Sequence, residues 1–332
     1  MPSVQNFVRR YAPSFRTCFR AGRKPVSCFL ALAGLGTSAF GSAPETSEPA
    51  PLAARALLLD VVNTGDQLVA VGDHGHVVIS RDDGRTWTQI LTPTRAMLTG
   101  VSFPDPQHGW AVGHDGVIIA TNDGGLTWQR QDDGKNSETV LLDVLFRDAT
   151  RGIAVGAYGK YYTTTDGGKN WLVSHPLPEE VHYNRISAGA DGFLYLAGEG
   201  GVIVVSSDSG QNWRKVNVPY DGSFFGVLPL DRDRILSYGL RGHILRSDDH
   251  GGTWTPLNSE LKVLIMGGTK FKNGTIVLGG QGGNFFVSRD AGRSFTHWKP
   301  AGFGTSVADL VEANDGALIT VGEAGASRLK LP

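Results

Sequence analysis

A motif of eight residues returns six times along this chain at nearly constant spacing. It reads SRDDGRTW at Ser80–Trp87, and its aspartates are Asp82, Asp123, Asp166, Asp208, Asp249 and Asp290. The intervals between successive aspartates are 41, 43, 42, 41 and 41 residues. A period near 42 residues is typical of a solenoid or a propeller, in which each repeat is one supersecondary unit.

A glycine motif runs in phase with the first one and gives the number of units. Seven Gly-x-x-Gly turns begin at Gly72, Gly113, Gly156, Gly198, Gly239, Gly280 and Gly322. In the second unit we predict strands near Leu98–Phe103, Gly109–Val112, Val117–Thr121 and Thr127–Arg130. Four antiparallel strands per unit form a propeller blade. The chain is therefore predicted to be all-β, with a single seven-bladed propeller domain over residues 57–332.

The last unit ends before its fourth strand is complete. The chain stops at SRLKLP, where that strand is expected to begin. The segment 44–56 is the candidate for the missing strand, because it precedes the first blade and would join the two ends of the ring. Its Pro49 and Pro51 restrict it to the edge of a sheet.

The first 43 residues have the pattern of a secretory signal peptide. They carry six basic residues and no acidic one, followed by the apolar run PVSCFLALAGLGTSAFGSA, which ends in small residues. The alternative is a single membrane anchor, but the run is shorter and richer in glycine than the roughly 20 apolar residues of a span. We predict export with cleavage, to the periplasm or to a thylakoid lumen.

Removal of this segment changes the charge and the cysteine count. The remaining chain has 25 basic and 32 acidic residues, since the basic ones fall from 31. Nucleic acid is therefore not an expected partner, because its binding depends on basic patches. Cys18 and Cys28 both lie in the segment, so no disulfide or thiol chemistry is expected afterwards.

The eight-residue motif itself is predicted to be structural. It resembles the Asp-box, in which Asp and Ser or Thr side chains bond the amides of a turn, Gly takes a positive φ, and Trp packs between blades. Six similar copies around a ring do not form one active site. Function is expected instead on the opposite face, where the Gly-x-x-Gly turns and the blade-to-blade connections lie.

Two sets of residues vary on that constant frame. The middle residues of the turns include His114, Tyr158, Glu199 and Arg241, and variation on a fixed scaffold is where function differs. The inner strands place Asp60, Asp143, Arg185 and Asp309 at equivalent positions, where the other three blades have Gly100, Gly226 and Gly267. This ring is either a set of polar groups facing a wet channel or a polar binding site.

Chemical alternatives rest on weaker patterns. His74, His114 and Asp115 are a candidate metal set, but no ligand spacing fixes them. Glu199 and Glu323 are a candidate carboxylate pair for glycoside cleavage, with no feature that sets their separation. We predict no catalytic residue, no metal and no cofactor.

Aromatic and arginine side chains near the blade connections are the candidates for binding a protein partner, because such residues anchor interfaces. Phe224 and Phe225 are alternatively the start of an inner strand, with one of them buried. The predicted partner-binding residues are Arg241, Arg185, Tyr158, Tyr183, Phe224, His114 and Glu199.

A resemblance to a known family is carried best by AVGHDGVIIATNDGGLTW, from Ala111 to Trp128. With seven such units, residues 57–332 resemble the photosystem II stability/assembly factor family, a group of lumenal propellers. The resemblance implies a monomer that binds a membrane protein during its assembly. Through YDGSFFGV the chain is most similar to members from non-photosynthetic bacteria, which are associated with transporters of the resistance-nodulation-division superfamily.

Sialidases also contain Asp-boxes and give the alternative function, a glycoside hydrolase. A sialidase has a Phe-Arg-Ile-Pro motif and three arginines that hold the substrate carboxylate. This chain has no Phe-Arg-Ile-Pro motif, and no arginine triad stands out. The function predicted from the sequence is therefore non-catalytic binding of an integral membrane protein or its exported segments, in support of assembly, stability or transport.

Overall fold

The computed structural model describes residues 46–131 and 138–332. The predicted signal peptide, residues 1–43, lies outside the described residues and stays a prediction. Within the described ranges, 27 strands form seven antiparallel sheets. This confirms the prediction of an all-β protein with seven blades. No helix in these ranges is long and apolar enough to cross a membrane.

Blades 1 to 6 contain four strands each, and blade 7 contains three. In chain order the strands are β1 Leu58–Asn63, β2 Leu68–Gly72, β3 Val77–Ser80, β4 Thr88–Ile90, β5 Leu98–Ser102, β6 Gly109–Gly113, β7 Ile118–Thr121, β8 Gln129–Arg130, β9 Leu141–Phe146, β10 Gly152–Gly156, β11 Tyr161–Thr164, β12 Leu172–Val173, β13 Tyr183–Ala188, β14 Leu194–Gly198, β15 Ile203–Ser206, β16 Arg214–Lys215, β17 Phe224–Pro229, β18 Ile235–Gly239, β19 Ile244–Ser247, β20 Thr255–Leu257, β21 Ile265–Lys270, β22 Ile276–Gly280, β23 Phe285–Ser288, β24 Thr296–Trp298, β25 Val307–Glu312, β26 Leu318–Gly322 and β27 Ser327–Leu329.

Short 3-10 turns are the remaining regular elements. They span Ala53–Arg55, Asp73–Gly75, His114–Gly116, Leu240–Gly242 and Gln281–Gly283. Four of the five lie inside Gly-x-x-Gly turns, between the second and third strands of a blade. We call the face that carries these turns and the blade-to-blade connections the connection face, and the opposite face the box face.

Each inner strand shifts its pairing register near its first residue. In blade 1 the shift lies between Leu58 and Asp60, and the other six inner strands have a shift at the same place. Such an irregularity re-aims the side chains that follow it. The shift therefore precedes the position occupied by Asp60 in blade 1 and by its equivalents in the other blades.

The core lies between the blades. Trp110 of blade 2 stacks on Phe146 of blade 3 with ring centroids 3.5 Å apart, and Trp171 meets the edge of Phe146 at 5.9 Å. Trp128 is buried in a cluster with Val69 and Ile79 of blade 1. Trp128 of blade 2 therefore packs against blade 1, in agreement with the prediction that the motif tryptophans pack between neighbouring blades.

The repeated Ser/Thr-x-Asp motif closes the turn between the third and fourth strands. In blade 1, Asp82 Oδ1 accepts bonds from the amides of Arg85 and Thr86, at 3.1 and 2.8 Å. Ser80 Oγ accepts the Gly84 amide at 2.8 Å, and Gly84 has a φ of +81°. These bonds satisfy the polar groups of a tight turn, and they confirm the structural role predicted for the motif.

The prediction that residues 44–56 supply the fourth strand of blade 7 is wrong for the part that is described. The segment runs along blade 1, where the Ser47 amide donates to Thr92 O at 2.9 Å and the Ala50 amide to Gln89 Oε1 at 2.7 Å. Prolines at positions 49 and 51 remove two of the amides that a ladder requires. Instead of a strand, the segment forms the 3-10 turn at Ala53–Arg55.

Contacts other than a shared strand join blade 7 to blade 1. The Ala326 amide donates to Ala54 O at 2.9 Å, and Asn63 Nδ2 donates to Glu312 O at 2.9 Å. On the box face, the carboxylate of Asp315 accepts bonds from arginines of blades 1 and 7. The two ends of the ring are thus held by individual hydrogen bonds and ion pairs.

Candidate functional site

A buried ionic cluster occupies the axis of the propeller. Arg185 of blade 4 donates through Nη1 to Asp309 Oδ1 of blade 7 and through Nη2 to Asp60 Oδ1 of blade 1, both at 2.8 Å. Its Nε lies 3.7 Å from Asp143 Oδ2 of blade 3. One guanidinium therefore connects four blades across the centre of the ring.

The cluster holds three carboxyl groups against one positive charge, and their pKa values diverge. Burial raises the pKa of Asp60 well above its usual value, against the pull of Arg185. Burial also raises the pKa of Asp143, to about 6. Burial acts on Asp309 too, but there the Arg185 charge prevails and its pKa is lowered. Buried like charges oppose one another's ionisation, so the single guanidinium does not hold all three carboxyl groups at equally low pKa values.

Backbone bonds and glycines fix the cluster in place. Asp60 Oδ2 accepts the Val101 amide of blade 2 at 2.7 Å, and Asp143 Oδ2 accepts the Ile186 amide of blade 4 at 2.9 Å. A Cβ on Gly100 would lie 2.9 Å from the Cα of Asp143. The inner ring, left open by the sequence as wet channel or binding site, is a packed set of contacts between blades.

The connection face carries residues in strained conformations. His74, Asp115, Tyr158 and Arg241 hold the same position in four Gly-x-x-Gly turns, with φ between 54° and 58°. The left-handed region costs a side-chain-bearing residue on the order of 1 kcal/mol. Tyr158 is 64% exposed there, and Arg241 is exposed as well.

The first aromatic pair of the connection face lies between blades 3 and 4. The Tyr158 ring meets the His182 ring edge-on, with centroids 4.7 Å apart. Glu199 Oε1 accepts the His182 amide at 2.9 Å, which holds the connection that carries the histidine. The exposed Tyr158 and the partly exposed His182 therefore lie close to the Glu199 carboxylate.

A second aromatic pair lies at the next blade along the ring. Tyr220 stacks on His243 with ring centroids 3.8 Å apart, and it meets Phe224 edge-on at 5.6 Å. Burial lowers the pKa of His243, and the neighbouring charges of Arg241 and Lys262 lower it further. The neutral ring of His243 therefore lies beside the cationic Arg241.

A family comparison gives the context of this surface. A family model described as photosynthesis system II assembly factor YCF48 matches residues 80–139 and 134–325, which is more than half of the chain. A photosystem II assembly lipoprotein Ycf48 of Prochlorococcus marinus (strain MIT 9312) is 30% identical over 274 residues, covering 66% of this chain and 80% of the relative. The chain belongs to the Ycf48 family.

Other Ycf48 relatives match a smaller part of their own length. The photosystem II assembly lipoprotein Ycf48 of Synechococcus sp. (strain CC9902) is 33% identical over 216 residues, which cover 64% of this chain. The matched region spans 52% of that relative, so the chain accounts for about half of its length.

Solved Ycf48 structures share the fold. One described as YCF48 bound to D1 peptide superposes with a TM-score of 0.68 at 19% identity, covering 87% of this chain and 97% of that one. YCF48 from Cyanidioschyzon merolae gives a TM-score of 0.68 at 16% identity, covering 84% and 96%. At these identities the likeness establishes a common propeller and no more.

Two of the predicted partner-binding residues of this Ycf48-family chain lie in the core. Tyr183 and Phe224 are fully buried, in the clusters between blades 3 and 4 and between blades 4 and 5. Each begins an inner strand, where the side chain turns into the sheet packing. We therefore correct the prediction and exclude both from the docking surface, while Phe225 beside Phe224 is half-buried.

Three further predicted residues, Arg185, His114 and Glu199, are wholly or partly held by contacts within the protein. Arg185 is bound in the axial cluster. His114 is half-buried, and burial lowers its pKa. Glu199 is tied to the His182 amide, as Glu323 is tied to the Ser306 amide at 2.9 Å in blade 7.

The same bonds bear on the chemical alternatives. Glu199 and Glu323 occupy the same turn position three blades apart, and each bonds the amide that precedes its own inner strand. Each glutamate is thus engaged with the connection of its own blade. Within residues 46–131 and 138–332, no three His, Cys, Asp or Glu side chains are grouped so as to hold a metal ion.

Two residues of the connection face were absent from the predicted partner-binding residues. His182 and His243 stand beside Tyr158 and Tyr220 respectively. His243 directly follows a Gly-x-x-Gly turn, a position held by valine in the second and fourth units. The replacement of valine by histidine at this position of the repeat was the sequence signal that could have indicated His243.

Proposed function

We propose that this protein is an exported, non-catalytic propeller that binds a segment of a membrane protein on its connection face and assists the assembly or stability of that protein. The docking surface comprises Tyr158, His182, Tyr220, Arg241 and His243, from blades 3 to 5. The exposed ring of Tyr158 in a left-handed turn is the observation that carries the proposal.

The reason lies in the energetics of that turn. Glycine is the residue that adopts a left-handed conformation at no steric cost, and it stands at this position in blades 4 and 6. A tyrosine there pays the conformational cost and exposes a large apolar ring. Aromatic and arginine side chains are the residues that anchor protein interfaces. Burial of Tyr158 and Arg241 by a partner would therefore offset the conformational free energy of the strained turns.

The class of partner is supported by the relatives. Ycf48 relatives are named photosystem II assembly proteins, and one solved relative is described as bound to a D1 peptide. We propose that this chain likewise binds an extended segment of an integral membrane protein. The partner is a reaction-centre subunit or a transporter of the resistance-nodulation-division superfamily.

Absence of catalysis and export are parts of the same proposal. The two candidate carboxylates, Glu199 and Glu323, each accept a bond from a backbone amide, which supports a non-catalytic role. Several relatives are named lipoproteins and others are named chloroplastic. An exported location is consistent with those names, and cleavage near residue 43 is proposed from the sequence of the first 43 residues.

The test is binding of two probes to the immobilised chain that lacks residues 1–43. The probes are a D1 peptide and a detergent-solubilised transporter of the resistance-nodulation-division superfamily. The variants Tyr158→Ala and Arg241→Ala are expected to weaken binding of the true partner by about tenfold each. His74→Ala is the matched control, since it changes the same turn position in blade 1.

The two probes separate the two identities of the partner. Binding of one probe with loss in both variants supports the docking surface and identifies the partner class. If neither probe binds, or if all variants bind as the parent does, the proposed function is wrong.

A further inference from the structure

Blade 3 has an outer strand that departs from those of its neighbours. The two residues after the motif tryptophan are Gln129 and Arg130 in blade 2 and Arg214 and Lys215 in blade 4. In blade 3 they are Leu172 and Val173, which are 70% and 59% exposed. Charged side chains protect the edges of sheets from pairing with other chains. The edge of blade 3 lacks that protection.

The backbone of this strand offers free pairing groups. Val173 lies opposite Tyr162 of β11, and the next amide, that of Ser174, donates inward to Tyr161 O at 3.0 Å. Alternate residues of an antiparallel strand point their N–H and C=O in opposite directions. The N–H and C=O of Val173 therefore face away from the blade, where an added strand would meet them.

A cavity of about 260 Å³ adjoins the edge, between blades 2 and 3. Its walls are of mixed character. Apolar side chains such as Ile118, Leu141 and Val173 alternate with the polar side chains of Gln131, Thr139, Lys169 and Asn170.

Two buried polar atoms at this cavity have no hydrogen-bond partner, Trp171 Nε1 and Gln131 Oε1. Tryptophans at the same position in the flanking blades are satisfied, since Trp128 donates to Gly125 O at 3.0 Å and Trp213 to Tyr161 Oη at 3.1 Å. Gln131 Nε2 donates to Gly167 O at 2.8 Å, which fixes the orientation of its amide.

An unmatched donor and acceptor define what the cavity accepts. A buried polar group without a partner destabilises the protein, so a ligand that supplies the missing bond is favoured. A peptide main chain carries one acceptor and one donor per residue, with side chains on alternate faces. An extended segment laid along β12 matches the outward groups of Val173, and its apolar side chains pack on the exposed Leu172 and Val173.

We propose that the outer edge of blade 3 binds an extended, apolar segment of a partner protein as a fifth strand. This mode is β-strand addition, in which main-chain bonds give affinity and side-chain pockets give selectivity. The site lies on the rim of the propeller and is independent of the connection face. It therefore goes beyond the proposed function and does not depend on it.

The experiment uses a fluorescein-labelled heptapeptide of alternating valine and threonine, measured by fluorescence anisotropy on the chain without residues 1–43. A second probe has the same sequence with N-methyl groups on alternate amides, so that its side chains remain and its strand pairing is lost. The first probe is expected to bind at least about tenfold more tightly than the second, because the main chain carries the affinity.

Protein variants place the binding on blade 3. The double variant Leu172→Arg/Val173→Lys copies the pair of blade 4 and is expected to lower the affinity at least about tenfold. The matched control is Thr296→Arg/His297→Lys on the outer strand of blade 6, and it is expected to bind as the parent does. Val173→Pro removes only the outward amide, so it tests the same edge if the double variant does not fold.

Three results would overturn the proposal. The first is equal affinity for the two probes, and the second is unchanged affinity in both edge variants. The third is sedimentation of the parent as a dimer that Leu172→Arg/Val173→Lys dissociates, which identifies a second copy of this chain as the occupant. A monomeric parent that binds the first probe through Leu172 and Val173 supports the proposal.

Discussion

Arg185 of blade 4 reaches Asp309 of blade 7 with a separation of 2.8 Å between Nη1 and Oδ1. Its second terminal nitrogen makes an equal contact with Asp60 of blade 1. These two aspartates belong to the last and first blades, which share no strand among residues 46–131 and 138–332. The guanidinium therefore ties the seam of the ring from the inside, and the bonds of the segment 46–56 tie it from the outside.

Replacement of Arg185 by methionine is expected to destabilise the protein strongly. Removing one partner of a buried ion pair costs about 3–5 kcal/mol, because the remaining charges are left uncompensated. Here three carboxyl groups lose their cation together. Urea unfolding followed by tryptophan fluorescence measures the change in the free energy of unfolding.

The control for this variant is Arg232→Met, since the side chain of Arg232 is 85% exposed. Changes at such positions are usually within about 0.5 kcal/mol. Arg185→Lys gives an intermediate result, because one ammonium does not reach two carboxylates as a guanidinium does. Equal stability of Arg185→Met and Arg232→Met would contradict the role of the cluster.

The pKa of Asp143 predicts a pH dependence of stability. Burial raises it from 3.8 to about 6, so the folded chain binds a proton there over a range in which the unfolded chain has lost it. The contribution to the free energy of unfolding is complete below the unfolded value and is lost as pH rises through about 6. Relative to Asp143→Asn, the parent is expected to lose stability between about pH 4 and 7, by at most about 1.4 kcal/mol per pH unit.

Asp148 provides a control of opposite sign. Hydrogen bonds from Thr150 and Arg151 hold the pKa of this exposed carboxyl well below its usual value. Its contribution is present above the unfolded value and is lost as pH falls below about 4. The parent relative to Asp148→Asn therefore changes only in the acid range. A flat difference between the parent and Asp143→Asn from pH 4 to 7 would contradict the assignment.

The blades were predictable from the sequence because their signals are local. The motif around Asp82 forms within eight residues, and the Gly-x-x-Gly turn within four. In the second blade, the second strand was predicted as Gly109–Val112 and is observed as Gly109–Gly113. Six copies of the Asp motif and seven of the glycine turn therefore define the number of blades and the strands within each blade.

The closure and the site were less predictable, because they depend on contacts across the ring. Equivalent positions of Arg185 and Asp309 were visible in the repeat, but their direct contact depends on the radius of the ring. Tyr183 and Phe224 begin their inner strands, and the equivalent position is apolar in every unit, so comparison across the repeat was the signal of their burial. The path of residues 46–56 depends on Thr92 and Gln89, partners about 40 residues away.

Deletion of residues 46–52 is expected to lower stability without unfolding the propeller. The deletion removes the bonds of Ser47 with Thr92, at 2.9 and 2.8 Å, and the bond of Ala50 with Gln89. A net contribution of about 1 kcal/mol per bond predicts a loss of about 3 kcal/mol. A thermal melt is expected to shift downward by several degrees.

Arg95→Ala is the control for the deletion, because it removes only exposed contacts with Thr46 and Glu48. Exposed ion pairs contribute about 0–1 kcal/mol. A melting temperature of the deleted chain that equals that of Arg95→Ala would show that the bonds of residues 46–52 with blade 1 do not stabilise the propeller.

Tyr158→Gly is expected to separate function from stability. Glycine accepts the left-handed turn at Tyr158, where φ is 54°, without the cost of about 1 kcal/mol borne by a larger residue. Unfolding in urea is therefore expected to show equal or slightly greater stability than the parent. Binding of the membrane-protein segment is expected to fall by about tenfold, since the ring that anchors it is gone.

The converse substitution at the same turn position is Gly200→Ala in blade 4. Gly200 has a φ of +62°, and an added Cβ would meet no atom within 4 Å. The variant is therefore expected to lose about 1 kcal/mol through the backbone alone and to keep its affinity for the partner. If Tyr158→Gly instead loses stability and keeps its affinity, Tyr158 serves the fold rather than a partner. The role of the Tyr158 ring would then be to pack against His182.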